Sequence, residues 1–147
     1  LVFDPNLWKK NLMKQGITQA NFALSSDLIQ RALQNIRQDQ RARWILNSTH
    51  ASAQSEYPIT ININNEIQHF IMDRTFIDED GTRWIIDYKT TELLDQQSEQ
   101  FLLDAKKRYA AQLEMYAQYF TLTEKRPIKL GLYFPLFSGW IEWSLEN

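Results

Sequence analysis

The sequence predicts an α/β domain in which a mixed β-sheet is flanked by helices and preceded by a helical segment. Three observations predict it. Residues from about Asp4 to Gln40 are rich in Gln, Leu and Ala, with Leu24, Leu28, Ala32 and Ile36 recurring every fourth residue. From Tyr57 the character changes to β-branched and aromatic runs punctuated by Asn, Asp and Gly. After about Ser98 helical spacing returns, and two further apolar runs follow. A length of 147 residues, 44% hydrophobic and 13% aromatic, suits one core.

Within the first 50 residues, a short helix holding Trp8 and Leu12 is expected to end near Gly16-Ile17, with Thr18 as candidate cap for the next. The sheet-and-helix core is expected over 51–147. Tyr57–Ile63, Ile67–Ile77 and Thr82–Tyr88 read as three strands. Asn64-Asn65 and Glu79-Asp80-Gly81 between them tolerate positive φ, as hairpin loops require, so the three strands form a meander. From Ser98 to Phe120 the residues Leu102, Tyr109, Leu113, Tyr116 and Phe120 fall on one helical stripe, with Lys106, Lys107 and Arg108 largely off it. Ile128–Phe134 and Trp140–Leu145 complete the set as two more strands.

Composition removes several function classes. With no cysteine there is no disulfide, thiolate zinc site, iron-sulfur cluster or cysteine nucleophile, and a reducing cytoplasm is the expected location. No run approaches the roughly 18 apolar residues of a membrane span. A net charge of -2 argues against coating nucleic acid through an overall positive field, so any grip on DNA must be local or supplied by a neighbour. Gly16, Gly81, Gly131 and Gly139 are too scattered for a phosphate-binding loop, and no G-x-S-x-G is present. The chain opens on Leu1 with no initiator Met, which leads us to expect a piece of a larger protein.

The chemistry-bearing stretch is Phe70-Ile71-Met72-Asp73-Arg74-Thr75-Phe76 followed by Trp84-Ile85-Ile86-Asp87-Tyr88-Lys89-Thr90. Asp87 lies in an apolar strand, and an ionised carboxylate there is costly unless paired or bound to metal. Residues two apart on a strand share a face, which joins Asp87 and Lys89. A three-residue loop at Glu79-Asp80-Gly81 would set Asp73 directly across from Asp87. Two hard oxygen ligands for Mg²⁺ and a cation that positions water or stabilises phosphate charge are the parts of phosphodiester hydrolysis. Taken alone, the same residues also describe a strand ion pair, with Asp73 paired to Arg74 or Lys89.

The order of four elements resembles the RecB-like exonuclease branch of the PD-(D/E)XK nuclease superfamily, over most of Glu56 to Phe120. They are the acid-bearing Met72-Asp73-Arg74, the turn Asp80-Gly81, the string Ile86-Asp87-Tyr88-Lys89-Thr90, and a downstream Gln112-x-x-x-Tyr116. The resemblance implies a restriction-endonuclease-like fold and exonucleolytic cleavage of DNA with Mg²⁺ or Mn²⁺. It implies Asp73, Asp87 and the Tyr88 main-chain carbonyl as metal ligands, and Lys89 as the catalytic lysine. Glu56 resembles an acid often carried before the first core strand, and Gln112 and Tyr116 would contact DNA or support the lysine. It further implies helicase motor domains of UvrD/Rep type in the same chain or complex, in DNA repair and recombination. The branch usually has a histidine ligand on an upstream helix. His50, in a loop, and His69, which alternation places on the Asp73 face four residues away, do not match it, and the ligand is expected before Leu1.

Two other readings are compatible with these residues: a nuclease-fold module that binds DNA or scaffolds a helicase without cutting, and a site-specific endonuclease subunit.

Overall fold

In a computed structural model, residues 22–93 and 97–146 are described, with the backbone alone for 22–26. The expected helix around Trp8 and Leu12, and its neighbour's cap at Thr18, lie outside the described residues. The chain runs α1 (Phe22–Gln38), α2 (Gln40–Ile45), β1 (Ala51–Ile63), β2 (Glu66–Ile77), β3 (Arg83–Tyr88), α3 (Ser98–Thr121), β4 (Ile128–Phe134) and β5 (Gly139–Ser144). The five strands form one sheet in the order β1-β2-β3-β4-β5. Only β3 and β4 pair in parallel, and α3 supplies the crossover between them. This mixed sheet with helices on both faces is the expected α/β architecture, consistent with a restriction-endonuclease-like fold.

Local chemistry explains the connections. Asn64 and Asn65 hold φ of 52 and 66, the two successive left-handed residues of a two-residue hairpin loop. In the loop between β2 and β3, Gly81 takes φ 78 and its N–H donates to the Asp78 carbonyl at 3.1 Å. The Asp78 carboxylate accepts from the N–H groups of Asp80 and Thr82 and from Trp84 Nε1 at 2.8 Å. The helical run breaks at Asp39, which caps α2 by accepting from Arg41 N at 3.0 Å. Its other carboxylate oxygen accepts from Tyr133 Oη of β4 at 2.8 Å, so the break in the helix is also an anchor to the sheet.

One face of the sheet packs on α3 through Ile59, Ile61, Met72, Ile85, Leu130 and Leu132 against Leu113, Tyr116, Ala117 and Phe120. The other packs on α1 and α2 through Phe76, Trp84, Ile86, Tyr88 and Tyr133 against Ile36, Ala42 and Ile45. Gly131 leaves room for the Trp140 indole against β4, where any Cβ would collide with it. Arg74 is buried on the α1–α2 face and donates to the carbonyls of Ile45 (2.9 Å) and Asn47 (3.1 Å) and to Ser55 Oγ (3.0 Å). It therefore caps the end of α2 and is not the partner of Asp73.

Strand β1 begins at Ala51, six residues before the apolar run. Its first stretch, Ser52-Ala53-Gln54-Ser55, is too small and polar to read as a strand, and pairing with β2 organises it. Side-chain alternation also changes phase partway along. Ala53 and Ser55 face α2, but Tyr57, Ile59 and Ile61 face α3; in β2, Arg74 and Phe76 face α2, but Phe70 and Met72 face α3. The switch falls at Glu56, whose φ is 48, and Asp73. The parity that placed His69 on the face of Asp73 does not survive it. His69 is exposed beside Ile71 and bonds to Thr60 Oγ1 at 3.0 Å through Nδ1.

Candidate active site

The paired residues of β2 and β3 run from Ile77–Arg83 to Arg74–Ile86, and at the next position the strands meet through side chains. Asp73 Oδ2 accepts from the Tyr88 N–H at 2.8 Å, so the carboxylate takes up a main-chain donor at the end of the ladder. Continuing the register puts Asp73 across from Asp87, as the three-residue loop requires. Lys89 Nζ lies 2.7 Å from Asp87 Oδ2. Lys89 is itself fixed by its N–H, which donates to the Tyr133 carbonyl at 2.9 Å and carries the parallel β3–β4 pairing past Tyr88. The Asp87 and Lys89 side chains keep 13% and 16% of their surface, enough for contact from one side.

Burial pushes the Asp73 carboxyl up to about 8, helped by the Asp87 charge and the hydrogen bond between the two; the Tyr88 N–H and the Lys89 charge oppose the rise. Burial beside Asp87 therefore favours the protonated form of Asp73. Two oxygen donors that cannot both ionise without a compensating charge are a donor set that a hard divalent cation fits, displacing that proton. Between the acids, the Tyr88 main chain lies at the site while its side chain packs on the α1–α2 face.

Gln112 Nε2 donates to Tyr116 Oη at 2.9 Å. Tyr116 is buried under the acids: burial raises its pKa, and the charges of Asp87 and Asp73 raise it further. The two side chains meet on one face of α3, as their spacing predicts. Glu56 lies level with Asp73 on β1 by register, at a left-handed backbone position with φ 48. Among the described residues, no three His, Asp or Glu side chains gather as a metal-binding group. His50 stacks on Phe76 with ring centroids 4.1 Å apart and bonds to the Trp44 carbonyl through Nε2, on the α2 face.

Tyr109 is the residue that the sequence reading passed over as part of an aromatic stripe. Its ring centroid lies 3.8 Å from Lys89 Nζ, so the ammonium is held between a carboxylate and an aromatic face. The signal was available: Tyr109, Gln112 and Tyr116 are spaced i, i+3, i+7 on one helix face. Tyr119, by contrast, packs on Tyr57 and Phe120.

No protein-family model matches the chain, and no curated protein matches it in sequence. Among solved structures, that of a protein designated SSO0001 is similar at 14% identity, over 97% of this chain and 76% of its own, with a TM-score of 0.41. That likeness is too distant to bear on function.

Proposed function

We propose that this chain is a metal-dependent deoxyribonuclease domain that hydrolyses phosphodiester bonds at Asp73, Asp87 and Lys89. The observation that carries the reading is the convergence, at the end of β3, of two facing carboxylates with a lysine ion-paired to one of them. Asp73, Asp87 and the Tyr88 carbonyl would hold Mg²⁺ or Mn²⁺. When bound, the cation would polarise a non-bridging phosphate oxygen and lower the pKa of water.

The chain's own residues supply the rest. Asp87 and the Tyr109 ring hold the Lys89 ammonium in place, where it can donate to the attacking water or to a phosphate oxygen as negative charge builds. Gln112 fixes Tyr116 beneath the acids and presents its remaining polar atoms at the exposed helix surface, where a strand can touch them. The sequence resemblance extends the proposal to an exonuclease working with helicase motor domains in DNA repair and recombination.

The test uses end-labelled linear DNA and covalently closed circular DNA with Mg²⁺, Mn²⁺ or EDTA. The proposal expects degradation of the linear DNA only, dependent on metal, and lost in Asp87→Asn. Cleavage in EDTA, or an undiminished rate in Asp87→Asn, would overturn it. A module that binds or scaffolds DNA without cutting would use the same donors. Cation binding with no cleavage of either DNA would select that reading.

A further inference from the structure

A cleft of about 200 Å³ opens beside Lys89, between α3 and the end of β4. It is lined by Phe101, Ala105, Tyr109 and Phe134, with Thr91, Asp104 and Arg108 also on its walls. Its shape follows from the helix: Phe101, Ala105 and Tyr109 recur at four-residue intervals on one face, and the small central residue leaves a notch between two rings. Phe101 is braced edge-on by Phe134 and Phe137, with ring centroids 5.4 and 5.5 Å away. Both flanking rings, Phe101 and Tyr109, are only partly buried. The walls are thus aromatic and fixed, with an acid, an arginine and a hydroxyl that can meet polar edges.

We propose that this cleft receives an unpaired nucleobase from the nucleotide flanking the phosphate at Asp73, Asp87 and Lys89. The proposal rests on the phosphodiester reading of that site. Continuity identifies the occupant: the Tyr109 ring that lines the cleft is the ring 3.8 Å from Lys89 Nζ. A flat π-system seated there is within one nucleotide of a phosphate at the lysine. Stacking on an aromatic wall accepts any base, because every base has a π-face. A base inside a duplex is already stacked and paired and cannot enter without being extruded. Tyr109 therefore has two roles, holding the lysine through its ring and selecting unpaired strand through the cleft.

The experiment measures binding in EDTA, where no cleavage occurs, using a short single-stranded oligonucleotide carrying 2-aminopurine and the same strand with that base removed. The wild type should quench the 2-aminopurine fluorescence and bind the intact strand about tenfold more tightly than the abasic one. Tyr109→Ala and Ala105→Leu, the second filling the notch, should lose that discrimination, whereas Tyr109→Trp should keep it. Thermal melts establish that each variant is folded. If both disruptive variants fold and still discriminate, or if the wild type never does, the proposal is overturned. The two readings separate cleanly. Discrimination that depends on Tyr109, in a protein that cleaves nothing with Mn²⁺, retains the base site and sinks the nuclease. Metal-dependent cleavage with no discrimination does the reverse.

Discussion

Cation binding to this site should be a proton exchange, and its pH dependence can be worked out from the carboxyl pair. In the free protein burial beside Asp87 pushes the Asp73 carboxyl up to about 8, so below that pH one proton must leave for both carboxylates to become ligands. Affinity for Mn²⁺ should then rise about tenfold per pH unit up to about pH 8 and level off above it, a gain of about a hundredfold between about pH 6 and pH 8. Calorimetry in buffers of different ionisation enthalpy counts the protons: about one per cation at pH 6, falling towards none at pH 9. Asp87→Asn removes the neighbouring charge but not the burial, so Asp73 should bind the cation more weakly and with its pH dependence moved to lower pH. An affinity for Mn²⁺ that is flat from pH 6 to pH 8 in the wild type would refute the protonated Asp73.

The same group sets a stability trend in metal-free protein. Its folded value lies above its ordinary 3.8, so between about pH 4 and pH 8 the native state holds a proton that the unfolded chain has released. The contribution is fully present below about pH 4 and is lost as pH rises through about 8, the reverse of an ion-paired aspartate. The urea midpoint should fall across that window in EDTA, and Asp87→Asn should reduce the fall without abolishing it, because burial remains.

Three further outcomes are expected. Lys89→Ala should lower single-turnover cleavage by about two orders of magnitude or more while circular dichroism stays native, because the lysine acts on transition-state charge. Leu113→Ala, at a fully buried position of α3, should cost about 3 kcal/mol in urea unfolding. Gly81→Ala should cost about 1 kcal/mol from its φ of 78 alone, since nothing lies within 4 Å of an added Cβ.

What the sequence revealed and what it hid differ by the range of the forces involved. The loop at Glu79-Asp80-Gly81 is local chemistry, and its three-residue length sufficed to place Asp73 opposite Asp87. Gln112 and Tyr116 met because helical spacing is local too. The early start of β1 was hidden, since Ser52-Ala53-Gln54-Ser55 carries no apolar alternation and owes its conformation to β2. The phase change at Glu56 and Asp73 was hidden for the same reason, and with it the true place of His69. Tyr109 was visible as a pattern but not as a partner, because its contact with Lys89 joins two elements twenty residues apart in sequence.

The phase change also divides the hairpin mechanically. From Ala51 to Ser55 and from Arg74 to Ile77 the strands belong to a five-stranded sheet, whereas the stretch from Tyr57 to Met72 is a two-stranded arm resting on α3 through Tyr57, Phe70 and the rings of Tyr116, Tyr119 and Phe120. Two strands alone are marginal in water, so the arm's order depends on its packing against α3, where Ile59, Ile61 and Met72 are buried beside those rings, and its amides should exchange with solvent before those of β3 and β4. Asp73 stands at the root of this arm. One of the two acids is thus carried by the rigid sheet and the other by the point where an opening fluctuation of the arm begins, so anything that draws both carboxylates together would also quiet the arm.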